Sequence, residues 1–311
     1  MHLNLKFPAL LAALTLAGAI WTTRAAESPA FEFARAPYLQ LATTNSIYVV
    51  WRTTGPVAPV VRYGRAMDKL DLSSTNEVVV RASLEKNSQV DFSKWEALRI
   101  EENLRRKLHS APVGTFQYEA KLTGLEPATR YYYAVFDGEK RLTPPDASYS
   151  FVTPPPVGDR RAFRFWALGD GGTGRKEQAD VYQAMLDHTR QTGKPLDFWI
   201  HVGDMAYGIG RDMEFQSRFF ESYEGALRSS VCWPAMGNHE GYTSKGTTGV
   251  GPYYDAYVLP RRAEAGGLAS GTEAYYSFNH GNIHFICLDS HDLDRKATGS
   301  MARTTATASA I

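Results

Sequence analysis

The sequence predicts an α+β protein in two parts: an all-β sandwich over residues 31–153 and a partial α/β layer over residues 162–296. Two observations carry this prediction. Up to about residue 153, short runs with apolar side chains on alternate positions are separated by turn residues, the pattern of strands with one buried face. From residue 163, three apolar runs each end in glycine and are separated by helix-length stretches, the alternation that gives a parallel sheet.

At 311 residues with 43% hydrophobic content, the chain is long enough for two domains with a shared or separate core. A formal net charge of +1 excludes a strong field for nucleic acid or an anionic membrane. Local clusters such as Arg105-Arg106-Lys107, Arg160-Arg161 and Arg261-Arg262 are expected on solvated faces. The first 26 residues read as a signal peptide, with Lys6, an apolar stretch from Phe7 to Ile20 and small residues around Ala25 and Ala26. That stretch is shorter than the roughly 20 residues needed to span a bilayer, so a secreted or periplasmic protein with no membrane attachment after cleavage is expected. Cys232 and Cys287, both inside apolar runs, are expected as buried thiols rather than a disulfide framework.

Within the first part, Ile47–Thr53, Val60–Tyr63 and Phe116–Leu122 are strand-like. Leu125, Pro127, Thr129, Tyr131, Tyr133 and Val135 fall on alternate positions and resemble the tyrosine-corner strand of fibronectin type III-like domains. An insertion at about 85–115 has a capping-box pair, Ser93 and Glu96, and a helical stripe of Ala97, Ile100, Leu104 and Leu108, which predicts a helix laid on the sandwich. Residues 154–161 form the linker, stiffened by three successive prolines, Pro154 to Pro156.

The second part is organised by three signatures: Leu168-Gly169-Asp170-Gly171-Gly172, Val202-Gly203-Asp204-Met205-Ala206-Tyr207 and Met236-Gly237-Asn238-His239-Glu240. Each follows a short apolar run and presents an oxygen donor just beyond it. Asp170 to Asp204 and Asp204 to Asn238 are both 34 residues, about one strand-helix-strand unit. Between the first pair, Ala179, Tyr182, Leu186 and Thr189 form an amphipathic helix stopped by Gly193; between the second, Phe215, Phe219, Tyr223 and Leu227 recur every four residues. Ligands of such sheets sit at the carboxyl ends of the strands, so the three tips are expected to converge. After them, Glu273–Phe278 and Asn282–Ser290 predict a hairpin, and the Gly, Thr and Ser-rich stretch 241–251 a mobile loop near the site.

Two carboxylates, a phenol and an amide are hard oxygen donors suited to iron, manganese, magnesium or zinc. Two such ions roughly 3.5–4 Å apart can clamp a phosphoryl group and acidify a water. Tyr207 alone is ambiguous, since its ring can equally pack and its hydroxyl hydrogen-bond. His201 and His284 are expected as core or sheet-face residues, His188 as solvated and His280 in a turn, which leaves His291 as a further histidine able to approach the site.

The three signatures resemble the first three of five blocks that define the calcineurin-like metallophosphoesterases, and the tyrosine three residues after Asp204 resembles the purple acid phosphatase branch. The resemblance implies that Asp170 and Tyr207 bind a ferric ion, Asp204 bridges it to a zinc, manganese or ferrous ion, Asn238 binds that second ion, and His239 faces the substrate phosphate. The implied reaction is hydrolysis of phosphate monoesters without a covalent phospho-enzyme. A phosphodiesterase of the same superfamily, or a non-catalytic fragment acting as a binding module, remain open readings, and oligomeric state has no signal. The fourth and fifth blocks, which would supply three histidine ligands, have no counterpart, and residues 297–311 form a tail of mostly Ala and Thr. A shifted frame or truncated gene is the expectation for that tail. It carries the further expectation that this polypeptide holds a second metal weakly, turns over near background and aggregates, and that a version extended with the missing blocks is active.

Overall fold

The structure, a computed structural model, describes residues 32–74, 77–84 and 108–291. The leader expected at 1–26, the insertion helix apart from Leu108, and the tail expected at 297–311 lie outside the described residues.

Among the described residues, nine strands build the first part: β1 (Phe33–Gln40), β2 (Ile47–Thr53), β3 (Pro59–Gly64), β4 (Leu72–Ser74), β5 (Val78–Ala82), β6 (Phe116–Leu122), β7 (Arg130–Asp137), β8 (Lys140–Arg141) and β9 (Ser150–Val152). They pair antiparallel in two sheets, β1-β2-β6-β5 and β4-β3-β7-β8, with β9 added to β7. Their inward faces close on each other, with Val49, Trp51, Val61, Tyr118, Tyr133 and Val135 buried between them and Trp51 stacked on Tyr118 at 5.1 Å. The backbone N–H of Glu126 donates to the Tyr131 hydroxyl at 3.0 Å, the upstream bond of a tyrosine corner. Alternation in β2 is only partial because its second face is also covered: Val50 and Arg52 are buried like Val49 and Trp51.

The second part holds three parallel strands, β10 (Phe165–Leu168), β11 (Phe198–His201) and β12 (Val231–Pro234), in the order β10-β11-β12 with Leu168, His201 and Pro234 in register. Helix α1 (Lys176–Thr192) ends at Gly193, whose left-handed φ of 62° a side chain would resist. Tyr182 carries its contact, lying 5.1 Å from Tyr223 and 6.2 Å from Trp166, while Ala179 of the predicted stripe is exposed.

The next connection buries all four predicted residues, Phe215, Phe219, Tyr223 and Leu227, yet it is not one helix. It comprises α2 (Asp212–Phe215), a π-helical turn (Gln216–Phe220) and α3 (Glu224–Leu227). The wider turn lets the neighbours Phe219 and Phe220 both face inward. After α4 (Pro252–Ala256), the predicted hairpin forms as β13 (Tyr276–His280) and β14 (Ile283–Cys287), turning at Gly281 with φ 57°. It lies over the parallel sheet: Phe278 stacks on Trp233 at 4.0 Å and Phe285 sits edge-on to Phe198 at 5.3 Å.

The two parts share a buried seam. Tyr38 of β1 donates to the Ala256 carbonyl at 2.6 Å and Tyr133 of β7 to the Arg228 carbonyl at 2.8 Å. The proline linker is docked rather than free, with Pro154 and Pro155 buried and Gly158 donating to the Gly281 carbonyl at 2.9 Å. Cys232 is buried and Cys287 half-buried, both as free thiols whose pKa burial raises. Among the described residues, no helix is long and apolar enough to cross a membrane.

Candidate metal centre

The strand tips are joined to one another through the backbone before any side chain is considered. Asp170 N–H donates to the Gly203 carbonyl at 3.0 Å, Gly172 N–H to the Asp204 carbonyl at 3.0 Å, and Tyr207 N–H back to the Gly172 carbonyl at 3.2 Å. Asp170 and Asp204 both adopt left-handed φ, 56° and 61°, a conformation that disfavours most side chains and turns each carboxylate off the end of its strand. Two glycines permit this approach. A Cβ on Gly172 would lie 1.9 Å from the Met205 carbonyl oxygen, and one on Gly237 would lie 2.3 Å from both the nitrogen and Oδ1 of Asp204.

On this frame the Tyr207 hydroxyl donates to Asp170 Oδ1 at 2.5 Å. That bond is the main reason the phenol holds its proton well above its ordinary range, with a smaller contribution from burial. His239 donates its backbone N–H to Asp204 Oδ1 at 3.2 Å, and its ring lies 4.3 Å from that of Tyr207. Its Nδ1 stands 2.6 Å from the Gly208 carbonyl, which only accepts, so the proton is on Nδ1 and Nε2 is left facing the site, 4.0 Å from Asp204 Oδ2. Asn238, between Gly237 and His239, is exposed at the same edge. All five predicted site residues are thus brought to the carboxyl edge of one parallel sheet.

The donor set suits a hard cation. Two carboxylates sit beside a phenol and an amide, and the Tyr207–Asp170 bond already holds two oxygens at 2.5 Å. Among the described residues, no group of three or more His, Cys, Asp or Glu side chains is arranged to hold a metal ion. Asp170 and Asp204 are the carboxylates of the set; its other oxygen donors are a tyrosine and an asparagine.

The remaining histidines sort as follows. His201 is buried against Trp199 and Phe219, and burial lowers its pKa to about 3. His188 and His284 are exposed. His280, expected in a turn, instead ends β13 and packs between Phe163 and Phe198, because the turn closes one residue later at Gly281. The His291 ring lies against Gly241, two residues past His239, where a Cβ would meet it at 2.0 Å. The 241–251 stretch is a turn closed on itself, with Lys245 N–H donating to the Val250 carbonyl and Gly249 N–H to the Lys245 carbonyl.

Comparison with known proteins agrees with the geometry in both parts. The family model "Purple acid Phosphatase, N-terminal domain" matches residues 34–153, and "Calcineurin-like phosphoesterase" matches residues 163–303. The chain thus joins a purple acid phosphatase N-terminal domain to a calcineurin-like phosphoesterase domain. A purple acid phosphatase of Glycine max is 27% identical over 191 residues, 59% of this chain and 38% of that protein. A solved purple acid phosphatase from yellow lupin (Lupinus luteus) seeds superposes with a TM-score of 0.59 at 17% identity, covering 87% of this chain and 48% of the other. The chain therefore spans less than half the length of either relative.

Several residues that shape the site are silent in a reading of motifs. Glu240, fully buried, accepts the backbone N–H groups of Asp204 at 2.8 Å, Ala206 at 2.9 Å and Gly237 at 2.9 Å. Burial raises its carboxyl pKa against the effect of those three bonds. Its signal was its place directly after His239, a carboxylate at the mouth of a turn with free N–H groups. Glu214 does the same for the next loop, accepting from Gly208 at 3.2 Å, Ile209 at 3.1 Å and Arg211 at 2.9 Å. Arg218 donates to the Tyr207 carbonyl.

Proposed function

We propose that this chain carries the first half of a dinuclear metal centre that hydrolyses phosphate monoesters, and that it acts in an extracytoplasmic compartment reached through its leader. The single observation that carries the reading is the bond from Tyr207 to Asp170 beside Asp204, at the carboxyl ends of adjacent parallel strands. Asp170 and Tyr207 would hold a ferric ion, Asp204 would bridge, and Asn238 would hold zinc, manganese or ferrous iron. Ions so held supply positive charge to a phosphoryl oxygen and acidify a water.

The chain's own residues then orient the reacting groups. The Gly208 carbonyl fixes the His239 ring by its Nδ1 proton, so Nε2 is the atom available to the phosphate or to a departing alcohol oxygen. Asp204 Oδ2 lies 4.0 Å from that nitrogen, on the same side of the cleft. The Glu240 bonds keep the Asp204 backbone from relaxing out of its left-handed conformation while the carboxylate is drawn toward a cation.

The test compares a chromogenic phosphate monoester with a diester between pH 4 and 8, after loading with iron and then zinc or manganese. Expected is a monoester to diester ratio above one that rises with metal loading and disappears in Asp204→Ala. Diester preference, or turnover indifferent to both loading and Asp204, overturns the reading.

A further inference from the structure

The seam between the two parts is built around charge as well as apolar contact. Arg35 of β1 and Arg52 of β2 are 1% and 2% exposed, and both donate to the same oxygen, Asp212 Oδ1, at 3.2 and 2.5 Å. Arg35 also reaches Gln216 at 2.9 Å and lies over the Phe220 ring at 3.8 Å. Arg52 also reaches Gln117 at 2.6 Å and the Asp255 carbonyl at 3.3 Å. Burial works against ionised Asp212, but the two guanidiniums outweigh it and hold its carboxyl below the usual range. Taking three charges out of water is costly, and apolar residues of similar volume would glue two layers together at least as well. What ion pairs of this kind add is a fixed geometry.

The geometry they fix leads to the site. Asp212 is the first residue of α2, and two residues on, Glu214 accepts the N–H groups of Gly208, Ile209 and Arg211. That strap defines the loop 207–211. The loop carries Tyr207, whose hydroxyl meets Asp170, and the Gly208 carbonyl, which sets the His239 proton on Nδ1. Thr243 closes it from the other side, donating to the carbonyls of Ile209 at 3.0 Å and Gly210 at 2.7 Å.

We propose that the N-terminal sandwich is a positioning element for the phosphoesterase site: Arg35 and Arg52, acting through Asp212 and α2, hold the loop that presents Tyr207 and orients His239. Asp212 and the two arginines are positioning residues that touch neither substrate nor metal. The catalytic consequence rests on the function proposed above; the mechanical claim does not, and is tested without metal or substrate.

The experiment measures two signals in the full chain. One is amide hydrogen exchange at Gly208, Ile209 and Arg211 relative to Val50 in β2, which reports the sandwich core. The other is the 15N chemical shift pair of His239, which reads its tautomer. In Asp212→Asn the loop amides should exchange at least tenfold faster relative to Val50, and His239 should pass from the Nδ1–H form to a tautomer mixture. Arg52→Lys keeps the charge but not the fork of donors; it should do the same more weakly, and it decides the matter should Asp212→Asn fail to fold. Tyr133→Phe removes a seam hydrogen bond that does not lead to the loop, and should leave both signals as in the parent. A folded Asp212→Asn or Arg52→Lys with unchanged loop exchange and an unchanged tautomer overturns the proposal, as does an equal effect from Tyr133→Phe. A parent chain without phosphatase activity would strike the proposed function and leave this test intact.

Discussion

Glu240 accepts the backbone N–H of Asp204 at 2.8 Å, so the residue that follows the half-buried His239 is anchored beneath a neighbouring strand tip. Its two carboxylate oxygens take three N–H groups from two loops, and no part of it reaches solvent. A buried donor left without an acceptor costs about 1–3 kcal/mol. Glu240→Ala is therefore expected to lower unfolding stability by on the order of 3 kcal/mol or more. Glu240→Gln, with one oxygen and an amide group that faces donors, should cost less and still loosen one of the two loops. Urea titration followed by tryptophan fluorescence measures both; a Glu240→Ala chain as stable as the parent would show that the three bonds contribute nothing.

The adjacency of Asp204 to both neighbouring tips predicts how metal is lost. Asp204 touches the Tyr207 and Asp170 side through the Gly172 bond and the His239 side through Oδ1, whereas His239 faces the cleft with Nε2. Asp204→Ala should release bound metal far more completely than His239→Ala, which should retain metal and lose turnover. Metal content by mass spectrometry after identical loading and desalting gives the answer, and equal content in Asp204→Ala and the parent removes the bridging role.

Tyr207 offers a spectroscopic prediction. If its oxygen leaves the Asp170 hydrogen bond to bind ferric iron, a phenolate-to-metal absorption appears in the visible and Tyr207→Phe abolishes it. Iron-loaded parent protein that is colourless, or a Tyr207→Phe variant with the same band, would exclude the ligand role.

The parallel strands and their tips were legible because period and punctuation agree there: apolar runs, a glycine, then a polar donor, at equal spacing. The tyrosine corner was legible for the same reason, since Tyr131 and Tyr133 keep the alternation of β7. The connection 212–227 was legible in its buried residues but not in its form. A spacing of four fits any helix, and it leaves no trace of the bond from Glu221 N–H to the Gln216 carbonyl at 3.0 Å, five residues back, that makes the turn π-helical. The seam was not legible at all. Arg35 and Arg52 look like solvent-facing members of half-buried strands until Asp212, 160 residues beyond Arg52, is brought against them by the fold. Partners so distant in sequence leave no periodic trace in either segment.

Glu273 tests whether burial or ion pairing governs the carboxylates outside the site. It precedes β13, accepts the Leu259 N–H at 3.1 Å, and burial pushes its pKa from 4.5 up to about 7, against the pull of that bond and of Arg261 and Arg81. A carboxyl whose folded pKa exceeds its unfolded one binds its proton more tightly in the native state. Its stabilising contribution is therefore complete below about pH 4.5 and is lost as pH rises through 7. The loss between those limits is on the order of 3 kcal/mol, from 1.36 kcal/mol for each pKa unit. Glu273→Gln keeps an oxygen for the Leu259 N–H and cannot ionise, so it should match the parent near pH 4.5 and be the more stable protein at pH 8. Denaturation midpoints of parent and variant measured side by side from pH 4.5 to 8 would show the gap opening with pH. A constant gap, or one that closes as pH rises, would mean that the arginines rather than burial set the charge of Glu273.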